Sequence, residues 1–281
     1  MKLAQVLWIG GGSGAGKSTL ARRIAYRHDL RLHPVDAYTY AHVERTDPKS
    51  QPVMARTHAM DFKELMVDPT AEQQASRFVD YATERFEMIL QDVTARGDGP
   101  LVVVEGPQLL PELVQPVMAG RGHGVWLLPT SEFTARSLGI RNSPTPLERE
   151  SDRERGRRLR LERDALLTDR IRRAAAERDL AVVEMDGAQE EEQSAARLDT
   201  FFRPVVQAGQ RAVDGAQRRA VRREENAVAN GQIAAFRRSL GENAPPESPF
   251  DYACECNTLG CARLVPLTPS AYQAAGGAVG H

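Results

Sequence analysis

The stretch "GGGSGAGKSTLARRI", residues 10–24, follows directly on the apolar run "LAQVLWI" at residues 3–9. Within it, residues 11–18 match the pattern G-x-x-x-x-G-K-[ST]. Glycines allow backbone angles that point successive N–H groups into one concavity, and the helix that follows adds its positive N-terminal end. The order of apolar strand, glycine loop and helix therefore predicts a site for the phosphates of a nucleoside triphosphate. The alternative is a flexible glycine turn.

The predicted nucleotide contacts come from this loop. Lys17 would reach the β- and γ-phosphates, and the Ser18 hydroxyl would be a ligand of Mg²⁺. The sequence has no N-K-x-D motif of the kind that reads guanine, which favours ATP over GTP. The residues expected to bind ATP are Gly11, Gly12, Ser13, Gly14, Ala15, Gly16, Lys17, Ser18 and Thr19.

Further short apolar runs follow, with helical patterns between them. One helix is predicted from a capping box of Thr70 and Gln73 to about residue 95. Short strands alternating with helices predict a three-layer α/β fold of the P-loop NTPase type, with a five-stranded parallel sheet covered on both faces. The four runs beyond the first are residues 31–35, 101–106, 124–129 and 179–187.

Two carboxylates stand where predicted strands end. Asp36 comes directly after the second strand, and Glu105 closes the third. Ligands of parallel sheets bind at the carboxyl ends of the strands, so both side chains are expected beside the glycine loop. Asp36 would accept the proton of a substrate hydroxyl or orient a water on Mg²⁺, and Glu105 would be a ligand of Mg²⁺. The alternative is that each caps its strand end.

Residues 149–164, the arginine segment, hold seven arginines interleaved with acids. One interpretation is a lid that closes over the phosphates, hinged at Gly156, with Arg153 and Arg157 as its catalytic cations because they share one helix face. The other is a solvated helix laced with ion pairs. Acids nearly balance the arginines and aromatic residues are absent, so the segment does not favour nucleic acid as a partner. The preceding "TPLE", residues 145–148, predicts the helix start.

Together these features resemble the P-loop small-molecule kinases, the nucleoside- and nucleotide-kinase-like phosphotransferases, with uridine kinase similar in motif style. The resemblance covers residues 3–202 and includes "VVVEGPQLLP" at residues 102–111. It implies ATP and Mg²⁺ at Lys17 and Ser18, a hydroxyl-activating acid at Asp36, and a lid in the arginine segment. Uridine-kinase-like enzymes often carry a second acid directly after the first, where this chain has alanine.

The tail differs in composition from the rest of the chain. Its cysteines, Cys254, Cys256 and Cys261, lie within eight residues, and His281 is its only histidine. Three thiolates and an imidazole predict a tetrahedral Zn²⁺ site, and the alternative is a reduced, partly buried turn. The predicted units are a kinase-like domain at 1–203, a helical extension at 204–240, and a linker with a cysteine-containing module at 241–281 that would dock a protein partner.

Composition narrows the class of protein further. The chain is 41% apolar, carries a formal net charge of −1 and has no apolar stretch near the ~20 residues of a membrane span. Three clustered cysteines are not a disulfide framework. We therefore expect a cytoplasmic protein without membrane contact.

Two functions fit the pattern. The first is an ATP- and Mg²⁺-dependent phosphotransferase acting on a small molecule with a hydroxyl or phosphate acceptor. The second is a nucleotide-dependent regulatory switch or slow ATPase that acts through a partner bound to the C-terminal module. Asp36 discriminates between them, because only a kinase needs an acid aimed at an acceptor.

Overall fold

Five parallel strands form the central sheet in the order β2-β3-β1-β4-β5. The computed structural model describes residues 2–140, 146–188, 190–256, 258–276 and 279–280. Thr145 and His281, which the sequence singled out, lie outside the described residues. The strands are β1 Val6–Gly11, β2 Arg31–Pro34, β3 Val102–Glu105, β4 Gly124–Pro129 and β5 Ala181–Met185.

The central strand is buried on both faces because its side chains are apolar on both. Leu7 and Ile9 enter one apolar cluster, while Val6 and Trp8 enter the other. A sheet of this kind needs helices on each face. The predicted fold class, a three-layer α/β fold with a five-stranded parallel sheet, is confirmed.

Eleven α-helices surround the sheets within the described ranges. Helices α1 and α9 cover one face of the main sheet, and α5 and α8 cover the other. Short 3-10 turns lie at residues 35–38, 121–123 and 241–243. The helices are α1 Lys17–Arg27, α2 Thr39–Glu44, α3 Pro52–Ala59, α4 Phe62–Met66, α5 Ala71–Thr94, α6 Pro111–Val114, α7 Ser131–Ile140, α8 Glu150–Glu177, α9 Glu191–Ala208, α10 Gly215–Leu240 and α11 Pro269–Ala274.

Strand β1 continues further into the glycines than its apolar pattern predicts. The strand ends at Gly11 rather than at residue 9, because Gly10 and Gly11 pair with Trp126 and Leu127 of β4. A Cβ on Gly10 would lie 2.5 Å from the Trp126 Nε1 atom, and one on Gly11 would lie 2.0 Å from the Leu127 carbonyl oxygen. The first glycines therefore serve close packing between strands.

The capping box of α5 is confirmed, whereas the predicted start of α8 is wrong. Thr70 and Gln73 exchange both hydrogen bonds of the box. Helix α8 begins at Glu150, after Leu147, which is buried beside Gly156. Gly156 lies inside an unbroken helix, where a Cβ would contact Val67 at 3.5 Å. In this structure, the expected hinge is a packing position of the helix.

The C-terminal part packs on the core through α10. The helix predicted over 220–240 is confirmed and begins earlier, at Gly215. An antiparallel hairpin of β6 Phe250–Ala253 and β7 Leu264–Leu267 follows it. The unit boundary expected at residue 203 falls inside α9. No helix in the described part of the chain is both long and apolar enough to cross a membrane.

Candidate functional site

The phosphate loop, residues 11–18, joins the end of β1 to the start of α1. Gly14 and Gly16 have φ angles of 78° and 79°, which favour glycine in this backbone conformation. A Cβ on Gly12 would lie 2.6 Å from Pro129 and 2.7 Å from the Thr168 hydroxyl. Both the backbone angles and the close packing therefore fix the loop against the N-terminal end of α1, where anions bind.

Lys17 is buried at the base of this loop, with 7% of its surface exposed. Its Nζ donates a hydrogen bond of 2.7 Å to the Gly12 carbonyl oxygen. The ammonium group therefore lies within the loop that would surround a phosphate, which is the position the motif predicts for it.

Glu105 lies at the end of β3, next to the first turn of α1. Its side chain is 4% exposed, and the nearby Ser18 hydroxyl acts to lower its pKa. Burial raises the pKa of Glu105 to about 7, against the lowering effect of the Lys17 charge. A carboxylate and a hydroxyl are hard oxygen donors of the kind Mg²⁺ takes, so the residues present fit a magnesium ion.

Asp36 is exposed on the 3-10 turn that follows β2. Gln108 Nε2 donates to its Oδ1 at 3.4 Å, and its charge contributes to the raised pKa of Glu105. The two acids lie at neighbouring strand ends, since Glu105 is the last residue of β3 and pairs with Pro34, two residues before Asp36. The structure therefore brings Lys17, Ser18, Glu105 and Asp36 to one edge of the sheet.

Arg85 forms hydrogen bonds with the turn that carries Asp36. The sequence did not predict a role for this residue. This side chain of α5 is 1% exposed and donates to the Val35 carbonyl at 2.6 Å and to the Thr39 hydroxyl at 3.1 Å. Its Nε also bonds His42, whose other ring nitrogen lies 2.7 Å from Asp92. The one signal in the sequence was an arginine at a position on the apolar face of a helix.

The predicted lid arginines lie on the first turns of α8 and are exposed. Arg153 donates to the Leu147 carbonyl at 2.8 Å and pairs with Glu150 at 3.2 Å. Thr168 of the same helix lies next to Gly12 of the phosphate loop. Because a helix rises 1.5 Å per residue, the backbone of Arg157 lies roughly 16 Å from Thr168 along the helix axis. Among the described residues, no hydrogen bond or ion pair joins Arg153 or Arg157 to the phosphate loop.

A cavity of about 210 Å³ adjoins the loop between the end of β4, α7 and α8. Its lining includes Thr130, Thr134 and Asp164, together with the Thr168 that contacts Gly12. Arg163 binds the Asp164 Oδ1 atom at 2.6 Å, while the Oδ2 atom has no hydrogen-bond partner within the described structure. The sequence offered no pattern that would predict this polar cavity.

The cysteine cluster, Cys254, Cys256 and Cys261, forms a compact group of thiols. The three Sγ atoms lie within 4.8 Å of one another, which is close enough to bind a metal ion. Burial acts to raise the pKa of Cys256, but hydrogen bonds from Thr258 and the neighbouring thiols outweigh it and lower the value to about 7. Burial raises the pKa of Cys261 to about 11. The Cys256 thiol therefore loses its proton more readily than the Cys261 thiol.

Comparisons with known proteins identify no family for this chain. No protein-family model matches the chain, and no curated protein does. Among solved structures, the chain is similar to shikimate kinase from Bacteroides thetaiotaomicron, with 17% identity over 70% of this chain and 97% of that one, at a TM-score of 0.38. A likeness at this level carries no argument about function, which rests on the site itself.

Proposed function

We propose that the chain is an ATP- and Mg²⁺-dependent phosphotransferase that acts on a small molecule. The observation that supports this best is the grouping of Lys17 and Ser18 with two carboxylates, Glu105 and Asp36, at neighbouring strand ends. A phosphoryl-transfer site needs positive groups for the triphosphate, oxygen donors for a cation and an acid for the acceptor. Residues of all three kinds are present.

The triphosphate would lie in the phosphate loop. Backbone N–H groups of residues 11–19 and the N-terminal end of α1 would bind its oxygens. Lys17 would exchange its present acceptor, the Gly12 carbonyl, for the β- and γ-phosphate oxygens. This exchange costs little, because one oxygen acceptor replaces another and the new one carries charge.

Ser18 and Glu105 would hold Mg²⁺. The bound ion would supply neutralisation of the charge on the β- and γ-phosphate oxygens. Glu105 is an oxygen donor when its carboxyl is ionised, and the adjacent Lys17 ammonium favours that form. The buried carboxylate would therefore be one fixed ligand, and the Ser18 hydroxyl the other.

Asp36 would accept the hydroxyl proton of the substrate that receives the phosphoryl group. As the acceptor oxygen forms its bond to the γ-phosphorus, the bond from that phosphorus to the β,γ-bridging oxygen breaks, and ADP leaves. The acceptor hydroxyl proton passes to the Asp36 carboxylate. Exposure of this side chain leaves it open to a substrate, and Gln108 fixes one of its oxygens.

The arginine segment would act as the lid of the phosphate site. Arg153 and Arg157 are exposed and lie on the N-terminal turns of α8. Because they stand away from the loop in this structure, their role requires that end of α8 to move toward the phosphates.

The cysteine cluster would hold Zn²⁺. Sulfur donors in a tetrahedral arrangement are typical of structural zinc sites, and His281 remains the predicted fourth ligand. The module that carries the cluster would bind a protein partner.

A nucleotide-dependent switch is the second candidate, favoured by one specific contact. Gln232 of α10 donates to the backbone carbonyl of Asp36, so the nucleotide edge of the sheet is joined to the C-terminal part. In this alternative the same contact would carry a change at the nucleotide to a bound partner.

ATP turnover across a pooled library of acceptors tests the proposal. The library holds nucleosides, sugars, phosphorylated metabolites and antibiotics, and Lys17→Ala is the blank. We expect one acceptor class to stimulate turnover by the native chain and not by the variant. Tight ATP binding without stimulation by any acceptor would favour the switch instead.

A further inference from the structure

The cysteine cluster is anchored on α10 by the residue between its first two members. Glu255 is 3% exposed. Its carboxylate accepts hydrogen bonds from Arg223 at 3.1 Å and from Asn226 at 2.9 Å. Since Cys254 and Cys256 flank Glu255, a metal ion bound to both thiolates would fix the backbone that carries this anchor.

Asn226 also holds the strand that leads into the cluster. Its Nδ2 donates to the Ala253 carbonyl at 2.9 Å, and its Oδ1 accepts from the Ala253 N–H at 2.7 Å. This two-point contact is buried, so it sets the position of β6 against α10 with little freedom. These buried contacts join the start of the cysteine cluster to the middle of α10.

The same helix holds the turn of Asp36. Gln232 donates from Nε2 to the Asp36 carbonyl at 3.2 Å and accepts from the Tyr40 N–H at 3.0 Å. The Tyr40 ring packs on Phe236, with ring centroids 5.3 Å apart. Gln232 follows Asn226 by six residues, which is roughly 9 Å along a helix. The contact to the cysteine strand and the contact to the Asp36 turn thus lie less than two helical turns apart.

The spacing of the thiols suits a single metal ion. Zinc–sulfur bonds of 2.3 Å in a tetrahedron place sulfur atoms about 3.8 Å apart, so sulfurs within 4.8 Å need only a small contraction. A [4Fe–4S] cluster binds each of its cysteines on a different iron and therefore spreads the sulfur atoms further apart. Soft thiolate donors favour Zn²⁺ over the hard cations Mg²⁺ and Ca²⁺.

We propose that Zn²⁺ bound by the cysteine cluster positions Asp36 through α10, so that occupancy of the metal site controls the acceptor side of the reaction and not the binding of nucleotide. The inference rests on the proposed function only for the role of Asp36. Glu255, Asn226 and Gln232 are its positioning residues. The mechanical link from metal to the Asp36 turn stands whatever the acceptor is.

The test uses the full chain with and without metal. The protein is stripped with a chelator under reducing conditions, and half of it is reloaded with Zn²⁺ alone. We expect one zinc per chain in the loaded sample and none after Cys256→Ser or Cys261→Ser. Co²⁺ in place of zinc should give the charge-transfer absorption of a tetrahedral thiolate site. Failure of the native chain to retain Zn²⁺ after desalting would overturn the metal site.

Amide hydrogen exchange then tests the link without any enzyme assay. Removal of zinc should speed exchange of residues 35–44 by about tenfold and leave residues 10–20 within about twofold, because local opening follows the loss of local contacts. Gln232→Ala should keep its zinc and lose this dependence. Gln207→Ala, an exposed glutamine of α9, is the matched control and should behave as the native chain.

The outcomes separate this proposal from the proposed function. Exchange at residues 35–44 that is equal with and without zinc would overturn the link even if the chain is a kinase. Zinc-dependent exchange in a chain that phosphorylates no acceptor would support the link and contradict the phosphotransferase. With an acceptor in hand, zinc removal should lower its kcat/KM several-fold and leave the Kd for ATP unchanged.

Discussion

The phosphate loop and the cysteine cluster are both short loops that follow a β-strand and gather ligand atoms, yet different parts of the molecule hold them. The phosphate loop is fixed by the central sheet itself, since Gly12 donates to Leu127 of β4 at 2.9 Å. The cysteine cluster lies in the loop between the two strands of a hairpin and is anchored on α10 through Glu255. One ligand site is part of the core, and the other depends on a docked helix.

This difference teaches where each site is vulnerable. Loss of the Lys17 side chain from the phosphate loop should impair ligand binding and leave the fold intact, because the close packing of this loop is made by its glycines. Changes at the docking of α10 should destabilise the C-terminal part and leave the phosphate loop intact. Four variants test this separation.

Lys17→Ala should have the largest effect. We expect ATP turnover to fall by about 10²–10³-fold, because the variant removes a preorganised cation from the developing phosphate charge. Thermal stability should change little. Lys63→Ala, at an exposed lysine of α4, is the matched control. Equal turnover in the two variants would show that the loop does not bind a triphosphate.

Arg222→Ala should separate α10 from α1. The Arg222 guanidinium donates to the Ala25 and Leu30 carbonyls and lies 3.8 Å from the centroid of the Tyr26 ring. Its loss takes the nearer of two cations from the buried Glu225 and leaves Arg22 at 4.0 Å, so we expect the free energy of unfolding to fall by about 3 kcal/mol. Urea denaturation measures this fall.

The affinity of Arg222→Ala for ATP is the second measurement on this variant. ATP affinity should stay within about twofold of the native value, because distant sites act independently. Arg197→Ala, at an exposed arginine of α9, is the control. A parallel loss of ATP affinity in Arg222→Ala would mean that the two regions form one cooperative unit.

Glu105→Gln should stabilise the protein when nucleotide and divalent ions are absent. The folded pKa of Glu105 is raised from 4.5 to about 7, so the folded state keeps a proton that the unfolded chain releases in this range. The contribution of protonated Glu105 to the free energy of unfolding is full at low pH and falls as the pH rises from 4.5 to 7. Above pH 7 this contribution no longer changes. Glutamine does not titrate.

The stability difference between Glu105→Gln and the native chain should therefore be larger at pH 8 than at pH 5, by at most about 3 kcal/mol. Urea denaturation at both values measures it. Glu87→Gln, at an exposed position of α5, should show no such dependence. A difference that shrinks toward pH 8 would refute the buried, proton-binding carboxyl.

The sequence predicts features formed by neighbouring residues, and it does not predict contacts between residues that are far apart along the chain. Residues 11–18 carry their own pattern, and the burial of the apolar runs places Glu105 and Asp36 at strand ends. The contacts that hold Asp36 were not predictable, because Gln232 stands 196 residues away along the chain. The residues that make these contacts form no recognisable motif in the sequence.

The arginine segment shows that a local sequence pattern does not determine the position of a helix. Its charge pattern predicts a helix, and α8 is one, but a pattern on one helix does not say where that helix ends or what it faces. Leu147 is buried outside the helix, which begins at Glu150. Gly156 and Thr168 pack against other elements, so packing rather than charge decides how α8 lies.

The most direct test of the central claim measures transfer and binding together in Asp36→Asn. With the acceptor found in the library, the variant should lose acceptor-dependent phosphoryl transfer by about 10²-fold or more, because asparagine cannot take the hydroxyl proton. Its Kd for ATP should equal that of the native chain and of Asp98→Asn, an exposed control. Transfer that persists at the native rate in Asp36→Asn would contradict the assignment of this edge of the sheet as a phosphotransferase site.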